Sequence, residues 1–218
     1  MTKADIAKLI DHTLLRPDAA VSDIEKLCNE AVEFGFHSVC VHPYFVPAAG
    51  EILSGSAVRV STVIGFPLGM SLTRVKVYEA MEVLLKGSDE LDIVMNMGMA
   101  KSGQWSLVRK DISDVISAAK GVIHKVIIEA CYLDRDEKIA ASEVVLDSGA
   151  EFVKTSTGFG PGGATLEDIE LIRSVVKGEC GIKASGGIKT LSQVRKFIEA
   201  GATRIGTSAG VKIVTSNE

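Results

Sequence analysis

Two spacings of hydrophobic residues alternate along this chain, one typical of helices and one typical of strands. Runs with helical spacing of apolar residues lead into short β-branched runs, as in "VVLDSGAEFVKT". The first pattern indicates an amphipathic helix and the second a strand. A glycine separates the two runs seven times, at Gly35, Gly55, Gly87, Gly121, Gly149, Gly178 and Gly201. Glycine adopts the left-handed conformation at no steric cost, so each is expected to end a helix.

These turns predict the fold class. Seven turns predict seven strands, and the opening segment "KLIDHT" is interpreted as one more strand before the first helix. Eight strands that alternate with helices predict an α/β fold, a parallel sheet closed into a (β/α)8 TIM barrel, as a single domain over residues 1–218. An open doubly wound sheet is the alternative, but "HTLLRPD" lacks the glycine pattern expected after its first strand. Three pairs have capping-box spacing at predicted helix starts: Ser22 with Glu25, Thr165 with Asp168, and Thr190 with Gln193.

The sixth and seventh predicted strands each carry a lysine. Successive side chains of a strand point to opposite faces, so either Lys154 or Val153 faces the barrel interior. If Val153, Ile182 and Ala184 pack on the surrounding helices, both Lys154 and Lys183 face inward. Burial and like-charge repulsion would then favour the neutral form of one amine. A neutral amine can attack a carbonyl group and form a Schiff base.

A carboxylate is predicted beside these lysines. In "ELDIVMN", outward packing of Leu91 and Ile93 would place Asp92 inside the barrel, where it could hold a charged amine and move protons. On the first strand, Asp11 and His12 point in opposite directions, so only one of them can reach the site. A competing interpretation makes the lysines and Asp92 a salt-bridge cluster that fills the barrel without reacting.

Small residues are concentrated in the loops after the last three predicted strands, "TSTGFGPGG", "ASGGIKT" and "GTSAG". Such loops let backbone N–H groups approach an anion, and many barrels hold phosphate after the seventh and eighth strands. One Gly-Gly pair would be an ordinary turn, whereas three such loops in succession predict a phosphate site. The predicted donors are Gly186, Gly187, Gly206, Thr207 and Ser208, with Thr157 and Gly158 helping from the sixth loop.

Composition excludes several other classes of protein. The 24 basic and 28 acidic residues give a formal net charge of -4 and are mixed along the chain, so nucleic acid is not an expected partner. The opening "MTKADIAKLIDHTLL" is too polar for a signal peptide and no apolar run reaches the roughly 18 residues of a membrane helix, so a cytoplasmic protein is expected. Neither the four cysteines nor the four histidines have metal-ligand spacing, and no metal or other cofactor is predicted.

Five motifs, "VIGFPLG", "ELDIVMNMG", "VKTSTGF", "KASGGI" and "RIGTSAG", occur in this order across nearly the whole chain. Together they resemble the deoxyribose-phosphate aldolase family. The resemblance implies a class I aldolase that reversibly cleaves 2-deoxy-D-ribose 5-phosphate to D-glyceraldehyde 3-phosphate and acetaldehyde, in deoxyribonucleotide catabolism. It implies Lys154 as the Schiff-base lysine, Lys183 as the neighbour that lowers its pKa, and Asp92 as the proton-transfer residue. It also implies Asp11 as a supporting polar group near the substrate, and a homo-oligomer, either dimer or tetramer.

The chain departs from that family pattern at two places. Phe159 stands where some members carry a lysine that helps to hold phosphate. Some members also carry a tyrosine near the end of the chain that is proposed to relay protons. No tyrosine follows Tyr132 here, so proton relay would use Asp92, Lys183 and water. Cys40, near the pocket wall, is expected to pack rather than react. The rival enzymes are a sugar-phosphate isomerase or epimerase, which would need a metal cluster or a carboxylate base, and a metal-dependent aldolase; the histidine spacing argues against the metal. Outside enzymes, the alternative is a non-catalytic phosphate-binding barrel.

Overall fold

A computed structural model describes residues 1–216, in which eight strands alternate with helices. The strands are β1 Ile10–Leu14, β2 Ser38–Val41, β3 Arg59–Ile64, β4 Glu90–Val94, β5 Ile123–Ile127, β6 Phe152–Lys154, β7 Gly181–Ser185 and β8 Arg204–Thr207. The helices are α1 Lys3–Ala7, α2 Val21–Phe34, α3 Val46–Ile52, α4 Thr73–Leu85, α5 Met97–Lys101, α6 Trp105–Ala118, α7 Arg135–Asp147, α8 Leu166–Val176, α9 Leu191–Ala200 and α10 Gly210–Thr215. Two 3₁₀ turns, Pro43–Phe45 and Ala130–Tyr132, follow β2 and β5.

The strands form a closed parallel barrel. Each strand pairs with the next one along the chain, and β8 pairs with β1. The predicted (β/α)8 architecture is therefore confirmed. All seven glycines between the predicted helices and strands have a positive φ, as at Gly35, where φ is 65°. Only glycine adopts this conformation freely, which explains why the glycine pattern located the strands.

The predicted start of α2 was wrong by two residues, since a cap at Ser22 would begin the helix at Asp23. The helix begins at Val21, so Ser22 already lies in its first turn and does not cap it with Glu25. Instead, the Asp23 carboxylate accepts a hydrogen bond of 2.8 Å from the N–H group of Ala20. An acidic residue in the first turn stabilises the positive end of the helix dipole, and this replaces a side-chain cap at Ala20.

The other two predicted helix starts are confirmed. Thr190 and Gln193 form a reciprocal capping box, and the hydroxyl of Thr165 accepts a hydrogen bond of 3.1 Å from the N–H group of Asp168. The opening segment differs from its prediction, since the short helix α1 precedes β1 and the strand begins only at Ile10.

The apolar core lies between the barrel and its helices. Val153, Ile182, Ala184, Leu91 and Ile93 are buried there, on the outward faces of β4, β6 and β7. Strand alternation therefore turns the intervening polar residues toward the barrel axis. Within residues 1–216, no helix is both long and apolar enough to cross a membrane.

Candidate active site

The interior of the barrel contains buried charged side chains from six strands. Three are carboxylates and four are cations: Asp11, Glu90, Asp92, Lys125, Lys154, Lys183 and Arg204. Burying an ion costs free energy unless it is paired, and here each charge contacts an opposite one. The strand alternation thus brings together the three residues predicted as catalytic, Lys154, Lys183 and Asp92.

Asp92 lies at the centre of this cluster. Its Oδ2 atom is 2.7 Å from Nζ of Lys154 and 2.7 Å from Nζ of Lys183, so the two amines lie within twice that distance of each other. Its Oδ1 atom accepts hydrogen bonds from Nζ of Lys125 at 2.7 Å and from the hydroxyl of Ser61 at 3.4 Å. Burial alone would raise the pKa of Asp92, but the neighbouring lysines hold it well below its ordinary value. Asp92 is therefore a carboxylate.

The two neighbouring lysines differ in their protonation. Burial, followed by the charge of Lys183, lowers the pKa of Lys154, and Asp92 offsets this only in part. Burial also opposes the charge of Lys183, but Asp11, 2.5 Å from its Nζ, and Asp92 raise the pKa of Lys183. Lys154 is therefore the amine that loses its proton more readily, and Lys183 stays an ammonium group.

The balance of charges inside the barrel supports the same assignment. The carboxylates of Asp11, Glu90 and Asp92 are matched by three cations, Lys125, Lys183 and Arg204, when Lys154 is neutral. Protonation of Lys154 would add an unmatched positive charge to an interior that excludes water, which is unfavourable.

Three members of this cluster were not predicted from the sequence: Glu90, Lys125 and Arg204. Nη1 of Arg204 donates to Asp11 at 2.9 Å and to Glu90 at 3.0 Å, and Lys125 lies 2.7 Å from Glu90. Burial would raise the pKa of Glu90, but its hydrogen bond of 2.9 Å with His37 and the charges of Lys125 and Arg204 lower this pKa to about 2. One signal was available, since Glu90 precedes Asp92 by two residues and so shares its face of β4.

Asp11 and His12 point in opposite directions, as predicted for neighbours on β1. Asp11 is fully buried inside the barrel, where it holds Lys183 and Arg204. His12 points outward, and its Nε2 lies 2.8 Å from the carboxylate of Glu30 on α2. Asp11 does not line the cavity described next, so it contacts the charged network rather than the substrate space.

Asp11, His37 and Glu90 are the one group in the described chain whose ligand atoms are close enough to share a metal ion, within 4.8 Å of one another. Both carboxylates already contact the guanidinium group of Arg204. A metal cation there would add positive charge beside Arg204 and Lys125. These residues therefore do not fit a metal.

Lys154 opens onto a cavity of about 380 Å³ at the carboxyl ends of the strands. Of the lysines inside the barrel, Lys154 alone lines this cavity among residues 1–216, while Lys125 and Lys183 lie beneath it. The cavity wall also includes all of the predicted phosphate-binding residues: Thr157, Gly158, Gly186, Gly187, Gly206, Thr207 and Ser208. Two cations in the wall, Arg16 and Lys189, were not predicted from the sequence.

Several backbone donors around the cavity have no acceptor in the protein. In the part of the chain that the structure describes, the N–H groups of Gly158, Gly186, Gly187 and Ser208 make no hydrogen bond to protein atoms. The hydroxyl of Thr207 is occupied, because it donates to the Ile188 carbonyl at 2.7 Å. A wall with free N–H donors and nearby cations suits an anionic group.

Three other residues singled out in the sequence lie around this site. Phe159 is half exposed and meets the ring of Phe66 edge-on, with 5.2 Å between ring centroids. Cys40 is fully buried against Leu15 and Val63, and burial raises the pKa of its thiol, in keeping with a packing role. The prediction that proton relay does not use a tyrosine after Tyr132 covers a segment that ends at Asn217 and Glu218, and these two residues lie outside the described residues.

The closed barrel and the buried amine beneath its cavity have the arrangement of a Schiff-base aldolase. A family model described as "DeoC/LacD family aldolase" matches residues 6–216. The chain therefore belongs to the DeoC/LacD family of aldolases, and it is an enzyme of the lyase class.

Relatives and solved structures agree with this membership. The chain is 54% identical over 213 residues to a protein named deoxyribose-phosphate aldolase from Thermoanaerobacter sp. (strain X514), covering 96% of each chain. It is 56% identical over 218 residues to one of the same name from Thermococcus gammatolerans, covering 98% of this chain and 97% of that protein. A solved structure described as "Unique tetrameric structure of deoxyribose phosphate aldolase from Aeropyrum pernix" superposes with a TM-score of 0.92 at 34% identity, covering 98% of this chain and 91% of that one.

Proposed function

We propose that this enzyme reversibly cleaves 2-deoxy-D-ribose 5-phosphate to D-glyceraldehyde 3-phosphate and acetaldehyde through a Schiff base on Lys154. The observation that carries the proposal is the position of Lys154, whose pKa is lowered by burial and which borders the cavity. The names of the relatives indicate the substrate. We further propose that the reaction serves deoxyribonucleotide catabolism and takes place in the cytoplasm, and membership of this aldolase family supports both.

The chemistry begins with the neutral amine of Lys154. Its nitrogen attacks the aldehyde carbon of the open-chain sugar, and loss of water leaves an iminium ion. The hydroxyl on the third carbon then releases its proton while the bond between the second and third carbons breaks. The electron pair of that bond moves toward the iminium nitrogen and forms an enamine, and the aldehyde with the phosphate departs. Protonation and hydrolysis of the enamine release acetaldehyde and restore the amine.

Asp92 and Lys183 support these steps from below the cavity. Asp92 stays ionised, so its Oδ2 atom can orient Lys154 and accept a proton through water. Lys183 keeps its own proton and stabilises the neutral form of Lys154 by repulsion. The same carboxylate thus couples the nucleophile to a permanently charged neighbour.

We place the phosphate group of the substrate at the part of the cavity wall that is formed by the loops after β7 and β8. The free N–H groups of Gly186, Gly187 and Ser208 would bind its oxygens, and Lys189 would supply positive charge. Lys189 offsets the absence of a lysine at Phe159.

The decisive experiment combines turnover with trapping. Purified protein and 2-deoxyribose 5-phosphate should release acetaldehyde, and borohydride added with acetaldehyde should leave an ethyl group on Lys154, located by peptide mass spectrometry. Phosphate binding without turnover or adduct would favour a non-catalytic barrel. Turnover that a chelator abolishes, without an adduct, would favour a metal-dependent enzyme.

We also propose that the protein is a homo-oligomer. The similar aldolase from Aeropyrum pernix is described as tetrameric, and α4 of this chain exposes an apolar face that includes Val75, Tyr78, Met81 and Leu85. Such a face is unfavourable in water unless a second surface covers it. Light scattering should give the mass of two or more copies, and the mass of one copy would refute the proposal.

A further inference from the structure

Glu129 has a backbone conformation that is unfavourable for its residue type. It follows β5 with φ 45° and ψ 62°, the left-handed region. Apart from Lys177, it is the only residue other than glycine with a positive φ in the described chain. Glycine would adopt this conformation without strain. The Glu129 side chain must therefore contribute something that glycine cannot.

The carboxylate of Glu129 binds the sixth loop, which follows β6. Glu129 is only 5% exposed. Both carboxylate oxygens accept from the N–H group of Thr157 at 3.2 Å, and Oε2 also accepts from the hydroxyl of Thr157. The N–H group of Phe159 in turn donates to that hydroxyl oxygen at 3.0 Å. Hydrogen bonds to an ionised carboxylate are stronger than neutral ones, so Glu129 determines the conformation of residues 157–159.

This contact changes the role predicted for Thr157. Its N–H and O–H groups are occupied by Glu129, so Thr157 does not offer them to a phosphate. Its neighbour Gly158 lines the cavity, and the N–H group of Gly158 has no acceptor in residues 1–216. Thr157 therefore connects Glu129 to Gly158, and Glu129 itself does not line this cavity.

The sixth loop is also held from the opposite side. A Cβ atom on Gly163 would lie 2.2 Å from the carbonyl oxygen of Gly186, so the two loops touch through their backbones. The N–H group of Ala164 donates to the Ser185 carbonyl at 3.0 Å. The sixth loop is thus held between Glu129 and the seventh loop, where free N–H groups face the cavity.

Glu129 has no contact with the charged groups beneath Lys154. The lysine amine contacts Asp92, and its protonation depends on the barrel interior. Among residues 1–216, the neighbours of Glu129 reach the end of β6 through backbone hydrogen bonds: the Ile128 N–H group donates to the Lys154 carbonyl at 3.0 Å, and the Ala130 N–H group donates to the Thr155 carbonyl at 2.9 Å. A change in the Glu129 side chain should therefore alter the cavity wall and leave the nucleophile intact.

We propose that Glu129 is a positioning residue for the phosphate end of the substrate. It holds Thr157 so that the N–H group of Gly158 points into the cavity, and it thereby favours phosphorylated over unphosphorylated sugars. The proposal rests on the proposed aldolase function. Its test therefore compares two substrates, only one of which carries a phosphate.

The first variant is Glu129→Gly, which removes the carboxylate and also relieves the backbone strain. The KM for 2-deoxyribose 5-phosphate should rise by at least about tenfold, a factor that corresponds to about 1.4 kcal/mol. Both kcat/KM for unphosphorylated 2-deoxyribose and borohydride trapping of acetaldehyde on Lys154 should change by less than about threefold. The matched control is Lys177→Gly, which relieves the other left-handed residue at the end of α8, far from the cavity, and should leave both substrates unaffected.

Thr157 provides an independent test of the same contact. Thr157→Val removes the hydroxyl and should raise the KM for the phosphorylated substrate, while Thr157→Ser should remain closer to the parent enzyme. The double variant Glu129→Gly with Thr157→Val should be little worse than Glu129→Gly alone, because both changes remove one interaction.

Three results would overturn the proposal. Equal losses on both substrates would mean that Glu129 supports the fold or the lysine, and an unchanged KM would mean that the contact does not position phosphate. Fully additive effects at positions 129 and 157 would separate the two residues. If the parent enzyme neither turned over the sugar phosphate nor trapped acetaldehyde, the aldolase function itself would fail, whatever the variants did.

Discussion

Lys154 and Lys183 are direct register partners on β6 and β7, and both amines lie 2.7 Å from the same oxygen of Asp92. Sharing one acceptor brings two basic groups together where water cannot separate them. The pKa of Lys154 falls through burial and the charge of Lys183, while Asp11 and Asp92 raise the pKa of Lys183. In the proposed mechanism, this pair therefore supplies both the nucleophile and the charge that activates it.

Replacing Lys183 should shift the pH dependence of the enzyme. In Lys183→Met the repulsion is lost and Asp92 interacts with Lys154 more strongly, so the pKa of Lys154 should rise. The rate at neutral pH should fall by at least about tenfold and recover in part as the pH rises. Rate measurements across the alkaline range check this. Lys138→Met, which removes an ion pair with Asp168 outside the barrel, should keep the parent profile. A uniform loss at every pH would contradict the assigned role of Lys183.

Lys154→Met should give a folded protein without aldolase activity. Since the other charges inside the barrel balance without Lys154, we expect a stability loss of only about 1–2 kcal/mol, from the hydrogen bond to Asp92. Loss of the nucleophile should lower kcat on the order of a thousandfold or more. Urea unfolding and acetaldehyde release measure the two effects. Turnover near the parent rate would disprove the Schiff-base mechanism.

The main features of this site follow from local rules. A glycine lies between a helix and the next strand at seven places, which predicts seven of the eight strands, and neighbouring strands in a barrel bring Lys154 beside Lys183. Strand alternation selects Asp92 because Leu91 and Ile93 require an apolar environment. These inferences need only the period of a strand and the chemistry of glycine, so they could be made without coordinates.

Other features depend on contacts between distant segments. Arg204 occupies an inward position that alternation allows, but its partner Asp11 becomes evident only when the barrel closes β8 onto β1. Glu129 binds Thr157 across two loops, and no periodicity describes a loop. The predicted role of Thr157 as a phosphate donor rested on composition, which does not reveal that its N–H group is already occupied.

Lys125 should contribute strongly to stability. Its fully buried ammonium group lies 2.7 Å from both Glu90 and Asp92, so Lys125→Met leaves these carboxylates short of positive charge. Breaking a buried ion pair in this way typically costs about 3–5 kcal/mol. Lys110→Met removes an exposed pair with Asp114 on α6 and should cost less than about 1 kcal/mol. Urea unfolding of both variants makes the comparison, and equal losses would contradict the role assigned to Lys125.

Lys189 should affect the phosphate end of the substrate alone. It is an exposed lysine in the cavity wall beside Gly187, so Lys189→Ala should raise the KM for 2-deoxyribose 5-phosphate by roughly three- to tenfold and leave 2-deoxyribose unchanged. Lys196 lies exposed on α9 outside the cavity, and Lys196→Ala is the matched control. Steady-state kinetics on the two sugars decides. If both lysine variants behaved alike, the effect would come from net charge rather than from the cavity.

Glu90 should make the fold sensitive to acid. Its pKa is lowered to about 2 from an ordinary value of 4.5, so the folded state binds its proton less readily than the unfolded chain. The resulting stabilisation, on the order of 3 kcal/mol, is present above the unfolded pKa and is lost as the pH falls toward the folded pKa.

Glu90→Gln lacks this contribution and leaves Lys125 and Arg204 without one of their carboxylate partners, so it should be the less stable protein at neutral pH. The difference in free energy of unfolding between the parent protein and Glu90→Gln should become smaller between about pH 5 and about pH 3, because only the parent protein loses this contribution there. Urea unfolding across this range measures the difference between the two proteins. A constant difference would mean that Glu90 is not the group that titrates.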